Sequence, residues 1–70
     1  MSNLKKHRME NYLSQYELAD LTGVPRHKIQ VAENGIAVLT ESEAMKITKI
    51  LGCIEIPEYL KKLVVEADDE

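Results

Sequence analysis

The sequence has 70 residues and a formal net charge of −3, with three Tyr and no Trp or Phe among its apolar residues. A chain this short forms one domain that buries only about 60% of its unfolded surface, so we expect an aliphatic helical core with modest stability or support from dimerisation. The acidic balance excludes a protein that coats nucleic acid by bulk attraction, and a local basic patch fits only the first 35 residues, which carry five Lys or Arg against four acids.

The first predicted helix runs from Asn3 to about Asn11, and we expect Leu4 and Met9 to be its apolar contacts. Lys5 and Lys6 lie in the same helix and are candidates for contacts with DNA phosphates. A solvated helix face explains these two lysines equally well.

A capping box and a glycine turn define the next two predicted helices. The Ser14 hydroxyl can accept from the Glu17 amide, while the Glu17 carboxylate reaches back to the Ser14 amide. Gly23 supplies the left-handed position that ends a helix, and Pro25 is preset for the first turn of the following one. Two short helices joined in this way form the helix-turn-helix pattern, whose second helix enters the DNA major groove. Most short helix pairs are only helical corners, so this pattern alone does not decide the function.

The third predicted helix is amphipathic. Ile29 and Ala32 fall on an inner stripe with Leu18, and polar and basic side chains fall on the other side. Gly35 suits the left-handed position that closes this helix.

The second half of the chain predicts two more helices. The apolar loop Ile36–Leu39 either seals the core or contacts another protein. Thr40 and Glu43 form a second capping box, and Gly52 ends the fourth helix. The fifth helix opens at Pro57 and has an apolar stripe. The members of that stripe are Ile56, Leu60, Leu63, Val64 and Ala67. With an acidic tail at residues 66–70, residues 1–70 are expected to form a single domain.

Several short motifs together carry a family resemblance. They are Leu13-Ser14-Gln15, Leu18-Ala19, Gly23-Val24, Arg26, Ile29 and Glu33-Asn34-Gly35. This pattern closely resembles the phage-repressor and Cro-like (XRE) helix-turn-helix family, without a gap from about Leu4 to Gly52. The resemblance implies an all-α, five-helix, lambda-repressor-like domain with the helix-turn-helix at helices 2 and 3. Two positions depart from the family: Thr22 stands where an aliphatic residue is commoner, and Leu21 where a polar one is usual.

The resemblance implies that Arg26, His27 and Val31 contact bases. The planar fork of Arg26 can donate two hydrogen bonds to O6 and N7 of one guanine, and the Val31 methyl groups can meet a thymine methyl. The alternative for this surface is an ordinary exposed amphipathic helix.

Other positions are expected to hold the DNA backbone or the fold itself. The resemblance implies phosphate contacts by Gln15, at the first turn of helix 2, and by Asn34, and Lys28 is also placed for a phosphate. For Gln15 the alternative is a surface residue that merely favours a helix. Arg8 and Glu33 match two family positions that form an ion pair, so the resemblance implies a structural pair between helix 1 and the end of helix 3.

The residue pattern gives no support to catalysis. His7, His27 and Cys53 lack zinc-type spacing, and there is neither a Gly-rich phosphate loop nor a Ser-His-Asp arrangement. We therefore predict no enzyme, no metal and no cofactor, and Cys53 is expected to be a core residue. Without an N-terminal apolar run or a long apolar span, we expect a cytoplasmic protein with a bacterial or phage gene.

Together these features predict a sequence-specific double-stranded DNA-binding regulator, a small repressor that occupies a promoter as a homodimer on a pseudo-palindromic operator. The alternative is a protein-interaction module with the same fold, antirepressor-like or antitoxin-like, with weak or no DNA binding. Its acidic balance supports that alternative, and the partner would bind through Ile36, Val38, Leu39 or helix 5.

Overall fold

The computed structural model describes residues 3–65, which form five helices and no strand. The helices are α1 (Asn3–Glu10), α2 (Gln15–Thr22), α3 (Arg26–Glu33), α4 (Glu41–Ile50) and α5 (Glu58–Lys61). The described part of the chain is thus all-α, as the sequence predicts. The acidic tail at residues 66–70, which includes Ala67, lies outside the described residues.

The helices enclose one aliphatic core. Helix α2 packs against α3 and α4, and α1 packs against α3 and α5. The buried members of the core are Leu4, Leu18, Val24, Ile29, Ala32, Leu39, Ile47, Leu51, Leu60 and Leu63. Complete burial of one such large aliphatic side chain contributes about 1.5–3 kcal/mol, so this cluster is the main source of stability.

Both predicted capping boxes form. Ser14 Oγ accepts from the Glu17 amide at 3.0 Å, and Glu17 Oε1 accepts from the Ser14 amide at 2.8 Å. Thr40 and Glu43 repeat the arrangement at the start of α4, with distances of 3.1 and 3.0 Å. Because each box satisfies amides that have no partner inside the helix, local sequence fixes where α2 and α4 begin.

The unusual Leu21-Thr22 pair is accommodated at the end of α2. Thr22 is buried, and its hydroxyl donates to the Leu18 carbonyl at 2.7 Å and accepts from the Val24 amide at 3.2 Å. Leu21 faces the solvent. The buried hydroxyl is therefore satisfied, and the exchange of positions leaves no unpaired polar group in the core.

The fifth helix is much shorter than the sequence predicts. It ends after four residues, and the chain then runs beside the loop that follows α3. The Leu63 carbonyl accepts from the amides of Val38 and Leu39, each at 3.0 Å, and the Val65 amide donates to the Leu39 carbonyl at 2.7 Å. These bonds satisfy loop backbone groups that a longer helix would leave unpaired. Leu60 and Leu63 are nevertheless buried, as expected.

Three single-residue predictions need correction. Leu39 is fully buried, so it seals the core and cannot contact a partner. Met9 is 57% exposed because Leu4 and Arg8, one turn apart, take the buried side of α1. Cys53 is only half-buried and lies outside the core cluster.

Candidate nucleic-acid interface

The turn between α2 and α3 is fixed by three consecutive residues. Gly23 has φ +76°, where a side chain would be strained, and its amide donates to the Ala19 carbonyl at 2.8 Å. Val24 is buried in the core and anchors the turn. Pro25 immediately precedes the first residue of α3. Because α2 ends at Thr22 and α3 begins at Arg26, the short turn fixes the angle between the two helices.

Helix α3 has one buried and one open side. Ile29 and Ala32 are buried, whereas Arg26 and Val31 are half-buried and His27 is exposed. His27 and Val31 are four residues apart and therefore lie on the same face. The three candidates for base contact thus lie on the side of α3 that faces away from the core.

Gln30 is an exposed residue of α3 and is not among the residues for which the sequence predicts a DNA contact. It follows Arg26 by one helical turn and shares its side of the helix. Helical periodicity is the sequence signal that could have identified Gln30 as a candidate. Its side-chain amide is suited to pair with an adenine edge. We define the recognition face as the open side of α3, formed by Arg26, His27, Gln30 and Val31.

A buried ion pair joins α1 to the end of α3. Arg8 Nε donates to Glu33 Oε2 at 2.5 Å, and Arg8 Nη2 donates to Glu33 Oε1 at 3.2 Å. The remaining terminal nitrogen, Nη1, donates to the Leu13 carbonyl at 2.7 Å. The Arg8 guanidinium thus donates to both carboxylate oxygens of Glu33 and also holds the turn between α1 and α2.

Gln15 extends this pair to the start of α3. Its Nε2 donates to Glu33 Oε1 at 2.9 Å, and its Oε1 accepts from Arg26 Nη1 at 3.1 Å. The Arg26 guanidinium also lies against Tyr16, with Cζ 4.7 Å from the ring centroid. Gln15 is a predicted phosphate ligand, yet both ends of its amide are engaged inside the protein, and one N–H is left for a phosphate. A continuous chain of polar contacts therefore runs from Arg8 to Arg26.

Lys28, another predicted phosphate ligand, pairs with Glu43 at the start of α4. Its Nζ lies 2.8 Å from Glu43 Oε1 and 3.1 Å from Oε2. Burial by itself would raise the pKa of Glu43, but the hydrogen bonds from Lys28 and from the Thr40 amide outweigh burial and lower it. A contact between Lys28 and phosphate therefore requires the ammonium to leave or share this carboxylate.

The remaining phosphate candidates are open to solvent. Lys5 and Lys6 are exposed on α1, and Asn34 is exposed at the C-terminal cap of α3. Gly35 follows with φ +89°, the left-handed conformation that the sequence predicts. Within residues 3–65 none of these side chains hydrogen-bonds to Arg26, whose side-chain hydrogen bond goes to Gln15.

Neither a metal-ligand cluster nor a membrane span occurs in the described part of the chain. Within residues 3–65, no three His, Cys, Asp or Glu side chains are grouped so that they could hold a metal ion. His7 instead stacks on Tyr59, with ring centroids 4.5 Å apart. No helix in the same range has both the length and the apolar character needed to cross a membrane.

Comparison with known proteins bears on the same segment. Neither the curated proteins nor the solved structures gave a significant match to the chain. A family model described as helix-turn-helix matches residues 4–59, which include α2 to α4, all of α1 after its first residue, and most of the polar contacts described above. The chain therefore belongs to the helix-turn-helix family of the Cro-like (XRE) type, a family of DNA-binding transcription regulators.

Proposed function

We propose that this protein is a sequence-specific repressor that binds a pseudo-palindromic operator as a homodimer. The observation that carries the proposal is the recognition face, where the half-exposed Arg26 is held at the first residue of α3 with its fork partly free. In a dimer, two copies of α3 would enter successive major grooves about 34 Å apart. Occupying a promoter in this way excludes polymerase and needs no cofactor, which suits a small cytoplasmic regulator of a bacterial or phage genome.

The net charge is compatible with such local recognition. Four of the twelve acids lie in residues 66–70, and residues 3–65 carry nine Lys or Arg against eight acids. Arg8 and Lys28 are paired inside the fold, which leaves Arg26, Lys5 and Lys6 as the cations on or near the first three helices. Weak long-range attraction combined with a few specific contacts favours an operator over bulk DNA.

Selection from a random duplex pool with the purified protein tests the proposal. We expect an inverted repeat with a guanine in each half-site and an affinity that falls steeply as salt rises. Arg26→Ala should weaken operator binding by about 5- to 150-fold, the value of one bidentate guanine contact. Lys61→Ala removes an exposed cation from α5 and should leave binding within twofold, roughly, as a matched control. Absence of enrichment at low salt, from a protein with intact helices, contradicts the proposal.

Promoter occlusion is tested separately by transcription in vitro. An operator that overlaps the start site should lower transcript yield at the protein concentration that saturates it. The same operator moved well upstream should have no effect. Equal repression from both positions would exclude simple occlusion, and increased transcription would identify an activator.

One exposed apolar residue supports the second candidate function, a protein-interaction module. Ile36 is 54% exposed and lies two residues from the half-buried Val38. Ile36→Asp should spare operator binding if the protein is the repressor proposed here. If the protein is instead an interaction module, this variant loses its partner, while circular dichroism shows that the helices persist.

A further inference from the structure

Tyr16 is a large aromatic residue that remains 69% exposed at the second position of α2. Its ring contributes little to the core, so apolar burial does not explain its place. The contact it does make is with the Arg26 guanidinium, whose Cζ lies 4.7 Å from the ring centroid. A cation within about 6 Å of a tyrosine centroid is attracted by the negative ring face.

Arg26 is held from a second direction by Gln15. The Gln15 amide oxygen accepts from Arg26 Nη1 at 3.1 Å, and its Nε2 is fixed by Glu33 Oε1 at 2.9 Å. Glu33 is in turn fixed by Arg8. The hydrogen bond sets the position of one terminal nitrogen, and the tyrosine ring sets the orientation of the guanidinium plane.

The Arg26 N–H groups that remain free of these contacts match the hydrogen-bond acceptors on the edge of a guanine. Arg26 Nε and Nη2 make no hydrogen bond to any of residues 3–65. These two nitrogens form the side edge of the guanidinium, and two parallel N–H groups are what O6 and N7 of guanine accept. A flexible exposed arginine would have to be ordered when it binds, which lowers affinity.

We propose that Tyr16 is a positioning residue that orders the Arg26 fork before DNA arrives and thereby sets discrimination for guanine. The inference rests on the proposed function, because it takes Arg26 as the residue that contacts the base. Tyr16 itself need not touch DNA. Loss of the ordering effect corresponds to about a three- to tenfold loss of affinity, the range expected for immobilising one long side chain.

Tyr16→Leu and Tyr16→Phe form the matched pair that tests this role, since Leu removes the aromatic face and Phe keeps it. The probes are the selected operator and the same duplex with 7-deazaguanine, which lacks the N7 acceptor, at the guanine of each half-site. Parent and Tyr16→Phe should prefer guanine equally. Tyr16→Leu should lower both the operator affinity and the preference for guanine over 7-deazaguanine by about three- to tenfold. The dependence of its affinity on salt should be unchanged.

A double-variant cycle separates the inference from the proposed function. In an Arg26→Ala background, Tyr16→Leu should have no further effect, because the side chain it positions is gone. An equal loss in both backgrounds, or a loss on Tyr16→Phe as large as on Tyr16→Leu, overturns the inference by showing that Tyr16 acts directly. If Arg26→Ala itself binds like the parent, Arg26 does not contact the base and the inference fails, whereas the proposed function fails only if no operator is selected at all.

The free protein provides a readout that needs no operator. In the parent, the ring current of Tyr16 should shift the Arg26 side-chain proton resonances upfield, and Tyr16→Leu should abolish the shift. Random-coil shifts for these protons in the folded parent would overturn the inference, whatever the DNA measurements show.

Discussion

Replacing Arg8 by Ala leaves the Glu33 carboxylate buried without its cation. The two side chains are 9% and 5% exposed, so water cannot take the place of the guanidinium. Breaking a buried pair by removing one partner costs about 3–5 kcal/mol. The change also removes the donor to the Leu13 carbonyl. A domain of this size has a free energy of unfolding of roughly 4–10 kcal/mol, so Arg8→Ala should remove about a third of it or more.

Urea unfolding followed by far-ultraviolet circular dichroism measures this loss, since the chain has no Trp for fluorescence. Arg8→Lys keeps the charge but loses the fork, so it should lose less stability and remain measurable if Arg8→Ala does not fold. Lys5→Ala removes an exposed cation from the same helix and should change stability by less than about 0.5 kcal/mol. A loss below about 1 kcal/mol for Arg8→Ala would refute the assignment of a buried structural pair.

Three smaller predictions use the same unfolding assay. The Tyr59 hydroxyl is buried without a hydrogen-bond partner among residues 3–65, and burial raises its pKa to about 12. Tyr59→Phe should therefore leave the free energy of unfolding unchanged or raise it by up to about 1 kcal/mol, and a loss of that size would reveal an unseen partner. Tyr12 is 93% exposed with φ +59°, a conformation that costs a non-glycine residue about 1 kcal/mol. Tyr12→Gly relieves this strain but adds unfolded-state entropy worth about 0.4–1 kcal/mol, so the free energy of unfolding should stay unchanged or rise by up to about 0.6 kcal/mol. A loss of about 1 kcal/mol would contradict this account. Burial would raise the pKa of Glu43, but Lys28 and the Thr40 amide outweigh burial and hold this pKa below its ordinary value of 4.5. The Glu43 carboxylate therefore contributes stability above pH 4.5, and this contribution is lost as the pH falls through the folded-state pKa. Glu43→Gln should flatten the acid limb of the stability profile, and a limb as steep as that of the parent would contradict the assignment.

Features with a local cause could be predicted from the sequence. Ser14 and Thr40 cap helices because their hydroxyls meet amides only three residues away, and Gly23 ends α2 because the required φ excludes a side chain. The end of α5 could not be predicted in this way. It depends on hydrogen bonds between Leu63 and Leu39, which are far apart in the chain and far from any helical signal. An apolar stripe with helical spacing was equally compatible with the short extended segment that forms instead.

The candidate site shows the same division. The family resemblance predicts DNA contacts for Arg26 and Gln15, and these contacts stay predictions. It does not indicate that the two side chains hydrogen-bond to each other or that the Arg26 guanidinium lies against the Tyr16 ring. Those contacts depend on the angle between α2 and α3 and on whether each side chain binds solvent, DNA or a neighbouring residue. Lys28 binds Glu43, which belongs to α4. Helical periodicity within α3 cannot reveal a partner on another helix.

The most direct test of DNA recognition by α3 is a nuclear magnetic resonance titration of the labelled protein with the selected operator. The backbone amides of the recognition face and the Nε–Hε group of Arg26 should show the largest changes in chemical shift. A duplex with scrambled half-sites should give smaller changes that disappear as salt rises. Changes centred on Ile36 and α5 with both duplexes, and none at Arg26, would contradict DNA recognition by α3.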